Sequence, residues 1–213
     1  MERWSLHNKK QKQAAFLLVI VHLAGAIGFH SPFAAYFIAL TPLNLLLSAF
    51  VLLSAHRDYQ PSLWWFCAVC FATGFIVELV GVQTGLLFGN YSYGATLGFK
   101  IWGTPVIIGV NWLILVYSSG SVTHQLKLPI AVKSALAAAM MVGLDYLIEP
   151  VAMRYDFWGW QNDMIPLQNY VMWYIVAFAL LMLFHRLKFD KNNPLAAVLL
   201  AVQFAFFGAL NIF

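Results

Sequence analysis

Seven apolar runs, each close to the ~20 residues a helix needs to cross a bilayer, leave this chain few ways to fold. They cover residues 14–29, 33–55, 62–82, 101–118, 129–149, 166–185 and 194–212. Their length excludes a transmembrane β-barrel, whose strands are alternating segments of about ten residues. Their poverty in charge excludes a soluble domain: 9% of the 213 residues are charged, against about 25% in a typical soluble fold. The expected fold class is all-α, a polytopic membrane protein of about seven transmembrane helices in a single integral membrane domain, residues 1–213. Pro61, Pro105, Pro129, Pro166 and Pro194 fall at or near the starts of runs, where a missing N–H costs a helix little. The first run follows a basic segment in the manner of a secretory leader. No cleavage site stands out and more runs follow, so it reads as the first transmembrane helix.

Loop charges orient the bundle. Arg3, Lys9, Lys10, Lys12, Arg57, Lys127, Lys133, Arg186, Lys188 and Lys191 fall on one side of the layout, and only Lys100 and Arg154 on the other. By the positive-inside rule the N-terminus is cytoplasmic and the C-terminus outside. The expected location is a bacterial inner membrane, with multiple passes and lipid all round. The net charge of +4 comes from these scattered loops and forms no basic stripe, so nucleic acid is not an expected partner. Oligomeric state is left open.

The chemistry concentrates in the stretch from Gly143 to Trp160, GLDYLIEPVAMRYDFWGW. Asp145 and Glu149 lie four apart, on one face of a helix, inside an apolar run. Ionisable groups in a membrane segment are expensive and mark functional sites by default. A second acid-bearing run echoes the first. Glu78 ends a helix and is followed by the loop TGLLFGNYSYGATLG, then by Pro105 with Trp112 seven residues on. Glu149 ends a helix and is followed by YDFWGWQNDM, then by Pro166 with Trp173 seven residues on. Asn111 and Asn169 sit in the opening turns of the two returning helices. The halves, about 62–118 and 129–186, have the form of a parallel repeat about an axis along the membrane normal. The competing structural account is an aromatic belt at the headgroups, with the acids paired to Arg154 or capping helix ends.

Other polar residues read as scaffold. Cys67 and Cys70 form a C-x-x-C inside an apolar helix and read as packing residues, lacking further ligands for zinc. His22 and His30 read as packing or hydrogen-bonding residues. His56, His124 and His185 fall with the basic loops and are expected to be solvated. No His and acid cluster has the spacing of a di-metal centre.

These motifs together resemble the carotenoid biosynthesis membrane-protein family. The resemblance rests on E-x-x-G-x-x-T-G-x-x-F-G-x-Y-x-Y from Glu78 to Tyr93, on Gly103, Pro105, Asn111 and Trp112, and on D-x-x-x-E-P from Asp145 to Pro150. It continues through W-x-W at Trp158–Trp160 and P-x-x-N-x-x-x-W at Pro166–Trp173, and covers the central two-thirds of the chain. It implies a carotenoid substrate and, among the family's activities, hydration of the terminal isoprene double bond of an acyclic carotenoid end.

Hydrating such an alkene needs an acid to protonate the less substituted carbon, stabilisation of the tertiary cation, and a held water. A carboxylic acid in an apolar site can keep its proton at neutral pH. Asp145, Glu149 and Glu78 are the candidate catalytic residues. Asn111 and Asn169 can hold water, and Trp112, Trp158, Trp160, Trp173, Tyr91, Tyr93 and Phe88 are candidates for lining the substrate path. No cofactor or metal is required. A protonation-driven cyclase or isomerase begins from the same cation, and a proton-coupled transporter or lipid-binding scaffold is the alternative outside enzymes.

Overall fold

The computed structural model describes residue 6 and residues 8–212; Arg3 lies outside the described residues. The elements in order are α1 (Lys9–Phe29), α2 (Ala34–Ala39), α3 (Thr41–Ser54), α4 (Pro61–Thr84), β1 (Tyr91–Tyr93), β2 (Lys100–Ile101) and β3 (Thr104–Pro105). They continue with α5 (Ile107–His124), α6 (Ile130–Arg154), β4 (Trp158–Trp160), a 3-10 turn (Gln161–Asp163), α7 (Leu167–Arg186) and α8 (Pro194–Ile212). Helices α1, α4, α6, α7 and α8 are each long and apolar enough to cross a membrane. The chain is an all-α polytopic membrane protein.

Three of the apolar runs fold differently from their sequence reading. The run 33–55 is not one span: it steps at Leu40 into the six-residue α2 and the fourteen-residue α3. Pro42 supplies the reason, since it has no N–H and its ring clashes with the carbonyl four residues back. The run 101–118 begins not as helix but as a hairpin. Ile101 pairs with Thr104 across Trp102 and Gly103, which both take positive φ, 46° and 81°, as a two-residue type I′ turn requires. Helix α5 starts only at Ile107 and runs on to His124. The run 129–149 continues past Pro150 to Arg154, so that proline lies within α6 and does not end it.

Helix α5 is the axis of the bundle, packed against α3, α4, α6, α7 and α8 and buried along most of its length. A helix with no lipid-facing side needs no apolar coat. Its second half accordingly carries Ser118, Ser119, Ser121 and Thr123, all buried, and small residues let its neighbours approach closely.

The basic loops converge at one end of the bundle. There the Ser62 hydroxyl donates to Lys188 O (2.6 Å), Lys133 Nζ to His124 O (3.0 Å) and Asn193 Nδ2 to Leu52 O (2.7 Å). The histidines at this end are more enclosed than the sequence suggested. His56 is buried, with Nδ1 2.6 Å from the Tyr117 hydroxyl, and burial pushes its imidazole below the ordinary range. His185 is buried as well and stacks on His124. Cys67 and Cys70 are buried free thiols, as expected of packing residues.

At the opposite end the two aromatic loops zip together. β1 and β4 pair antiparallel, Tyr91 with Trp160, Ser92 with Gly159 and Tyr93 with Trp158. Their ends are closed by Gly94 N donating to Phe157 O (3.0 Å) and Gln161 N to Asn90 O (2.9 Å). A Cβ at Gly94 would fall 2.1 Å from the Asp156 carbonyl, a backbone atom with nowhere to go. Gly94→Ala is therefore expected to pry the strands apart and cost about 1–3 kcal/mol of stability, the usual range for overpacking. Thermal unfolding of the detergent-solubilised variant measures it, and an unshifted midpoint would show that the strand pair does not hold this end.

Candidate active site

Period-two alternation explains why the strand pair matters. In Y-x-Y and W-x-W the four rings share one face of the ribbon, while Ser92 and Gly159 point away and are exposed. The ring face meets the ends of α4 and α6, where Glu78, Asp145 and Glu149 are buried at 3%, 1% and 1% exposure.

Each acid has a distinct set of donors. Glu78 Oε2 accepts from the hydroxyls of Tyr91 (2.6 Å) and Tyr93 (2.8 Å), and its Oε1 from Trp112 Nε1 (3.1 Å). Glu149 Oε2 accepts from Trp158 Nε1 (3.0 Å) and Trp160 Nε1 (2.6 Å), and its Oε1 from Asn169 Nδ2 (3.1 Å). The same Asn169 amide donates to Asp145 Oδ2 (3.1 Å) and so bridges the two acids of α6. That is the one hydrogen bond the Asp145 carboxyl receives among the described residues. Burial, and then the neighbouring Glu78, push both tyrosine hydroxyls well above their ordinary range, so they stay protonated and act as donors.

These groups surround a cavity of about 20 Å³, lined by Glu78, Tyr91, Tyr93, Ile108, Asn111, Asp145, Glu149, Trp158, Trp160, Asn169 and Trp173. A volume of that size holds about one water. No Lys, Arg or His lines it. The guanidinium of Arg154 donates instead to Leu210 O (3.0 Å) and pairs with no acid among the described residues. Among the described residues no group of three or more His, Cys, Asp and Glu could hold a metal ion.

Two of the residues singled out in the sequence stand behind the lining. Trp112 is fully buried, stacked on Trp173 with centroids 4.1 Å apart, and reaches the site only through its bond to Glu78. Phe88 does not reach the cavity; it packs edge-on against Tyr91 at 6.2 Å and supports that ring. Trp160→Phe keeps an aromatic ring, though a smaller one, and deletes a donor to a buried acid. It is expected to lower stability by about 1–3 kcal/mol, measurable by denaturant unfolding in detergent, where wild-type stability would instead assign Trp160 a packing role alone.

A second, larger cavity of about 260 Å³ adjoins the first and shares Ile108, Asn111 and Trp158 with it. It is lined by α1, α2, α3, α5, α6 and α8, mostly with aliphatic and phenyl side chains. Sequence reasoning did not point to it. The available signals were a glutamine, Gln203, in the last apolar run and an asparagine, Asn44, just after Pro42.

The chain is similar to known proteins over much of its length. Over 121 residues the chain is 27% identical to the bisanhydrobacterioruberin hydratase of Haloarcula japonica, a match covering 51% of this chain and 40% of that protein. No solved structure matches. Residues 35–213, which include the three acids and the whole lining of the smaller cavity, match the family described as carotenoid biosynthesis protein. A membrane bundle that buries three hydrogen-bonded acids beside an apolar cavity is thus the form taken here by a member of the carotenoid biosynthesis protein family, to which the chain belongs.

Proposed function

We propose that the protein is a hydratase that adds water to the terminal isoprene double bond of an acyclic carotenoid end, lycopene-like or monocyclic. The observation that carries this reading is a one-water cavity walled by three carboxyl groups and joined to an apolar cavity over Ile108, Asn111 and Trp158. The resemblance to a hydratase supports it. The polyene end lies in the apolar cavity and presents its last double bond at the shared wall.

The unequal hydrogen bonding supports a division of roles. Glu78 and Glu149 each accept three bonds, an arrangement that suits a carboxylate. Asp145 accepts one and carries the proton. It passes that proton to the less substituted alkene carbon, and the π pair becomes the new C–H bond. The tertiary cation left behind faces Trp158 and Trp173, each ring contributing ~0.5–2 kcal/mol, and the negative charge of Glu149. Water held at Asn111 forms the C–O bond, and its surplus proton returns to the Asp145 carboxylate. The sum is one water across one double bond, with the acid regenerated and no cofactor consumed. Asn169 positions both acids, while Glu78 fixes the Tyr91 and Tyr93 rings and the stacked tryptophans behind them.

Co-expression in a lycopene-producing bacterium, with pigments analysed by mass spectrometry, tests the reading. A product heavier by one water is expected. Conversion to a product of unchanged mass would replace it with the cyclase or isomerase reading. The gathering of the basic loops at one end of the bundle supports a multi-pass inner-membrane orientation with the N-terminus cytoplasmic.

A further inference from the structure

The larger cavity is apolar but not uniformly so. Apart from Asn111 and Trp158, which it shares with the acid site, its polar side chains are His22, Thr41, Asn44 and Gln203. Gln203 is 4% exposed, and its Oε1 is fully buried without a hydrogen-bond partner. The Oδ1 of Asn44 is in the same condition. His22 is 5% exposed, and its Nδ1 lies 2.8 Å from Leu18 O. A carbonyl only accepts, so Nδ1 carries the hydrogen and Nε2 is left as an acceptor.

Unmet polar atoms buried in a membrane protein are costly, and native structures hold few of them. Two residues lining this cavity, Asn44 of α3 and Gln203 of α8, carry such an atom, and His22 of α1 adds a ring Nε2 for which no hydrogen bond is seen among the described residues; all three atoms are acceptors. The complementary ligand must therefore donate. No acid lies among the lining residues of this cavity to balance the charge of a cation. A carbonyl or ether oxygen has no hydrogen to give. An alcohol donates to one of these atoms and accepts from an amide N–H2 beside it.

The wall stands apart from the acids. His22 packs against Phe206 (5.8 Å), Phe206 against Phe29 (5.7 Å), Phe29 against Phe157 (6.4 Å) and Phe157 against Trp158 (6.5 Å), whose Nε1 bonds Glu149. We propose that His22, Asn44 and Gln203 form a hydroxyl-binding subsite, so that the protein selects isoprenoid ends already bearing an alcohol over plain hydrocarbons. The reacting double bond and the alcohol then occupy opposite ends of the cavity. This rests on the hydratase reading for what happens at the double bond, but not for the binding preference itself.

The test uses the whole protein in lipid nanodiscs with farnesol and the hydrocarbon that lacks its hydroxyl. Both binding, followed by tryptophan fluorescence, and hydration are measured. Wild type is expected to bind the alcohol at least tenfold more tightly. Gln203→Met, which keeps the side-chain volume, and Asn44→Leu are each expected to erase most of that preference while binding the hydrocarbon no more weakly. Partitioning into lipid is common to wild type and variants and cancels in the comparison. Equal affinities in wild type, or equal losses for both ligands in the variants, would overturn the subsite and show a wall that holds only water. A wild type that prefers the alcohol but hydrates neither compound would retain the subsite and sink the hydratase reading. Hydration of both at equal kcat/KM would do the reverse.

Discussion

Asp145→Asn is expected to lower turnover of an acyclic carotenoid by about two to four orders of magnitude, the contribution typical of a positioned general acid. The substitution is nearly isosteric. The new amide oxygen can still accept from Asn169 Nδ2, so the bridge to Glu149 and the strand pair above it are left standing. What is lost is the exchangeable acidic proton on the one carboxyl that receives a single hydrogen bond. Glu149→Gln is expected to be damaging for a different reason. The tryptophan N–H pair at Glu149 Oε2 can be served by an amide oxygen, but the negative charge proposed to face the cation disappears. Product quantified from purified protein in nanodiscs separates the two. Turnover of Asp145→Asn within tenfold of wild type, in a protein that unfolds at the wild-type temperature, would remove Asp145 from the chemistry.

Glu78→Leu is expected to produce the largest loss of stability at the site. Glu78 is the common acceptor of Tyr91, Tyr93 and Trp112, and all three donors would be left in an apolar interior without a partner. At about 1–3 kcal/mol for each unmet donor, the variant should lose on the order of 5 kcal/mol. Glu78→Gln, which retains one acceptor oxygen, should lose roughly half as much. The near-ultraviolet circular dichroism of the tyrosine and tryptophan rings should weaken in the same order. Denaturant unfolding of the two variants beside wild type decides the matter. A Glu78→Leu protein within about 1 kcal/mol of wild type would mean that the three donors find water, and that Glu78 does not hold the site together.

Much of this site was legible because its parts obey local rules. Four-residue spacing put Asp145 and Glu149 on one helical face, and the two aromatic loops that follow acid-bearing helices marked where their rings would gather. The prolines marked helix starts at Pro61, Pro129, Pro166 and Pro194. What escaped was set by partners distant in the chain. Three residues, Tyr91 to Tyr93, are too few to announce a strand; they become one because Trp158 to Trp160 lie opposite. Nothing local says that Trp112 turns its N–H to Glu78 and its face to Trp173, thirty-four and sixty-one positions away in sequence. Ile101 and Trp102 are apolar enough to extend a membrane run, and only the turn geometry at Gly103 shows that they belong to a hairpin. Gln203 was hidden by its neighbours: one amide in an otherwise apolar helix barely alters the pattern, yet it lines the larger cavity and is one of the three residues of the proposed hydroxyl subsite. His56 and His185 were misjudged because the loops around them are basic, whereas their burial comes from Tyr117, Phe184 and Phe189 packing over them.

The proposed reaction adds water across a double bond, with its oxygen drawn from solvent. The most direct measurement incubates the purified protein in nanodiscs with lycopene in heavy-oxygen water and takes the mass of every carotenoid product. The expected result is a tertiary alcohol heavier by one heavy-oxygen water, formed by wild type and absent with Asp145→Asn. A product of unchanged mass, or an added oxygen that carries no label, would contradict the account.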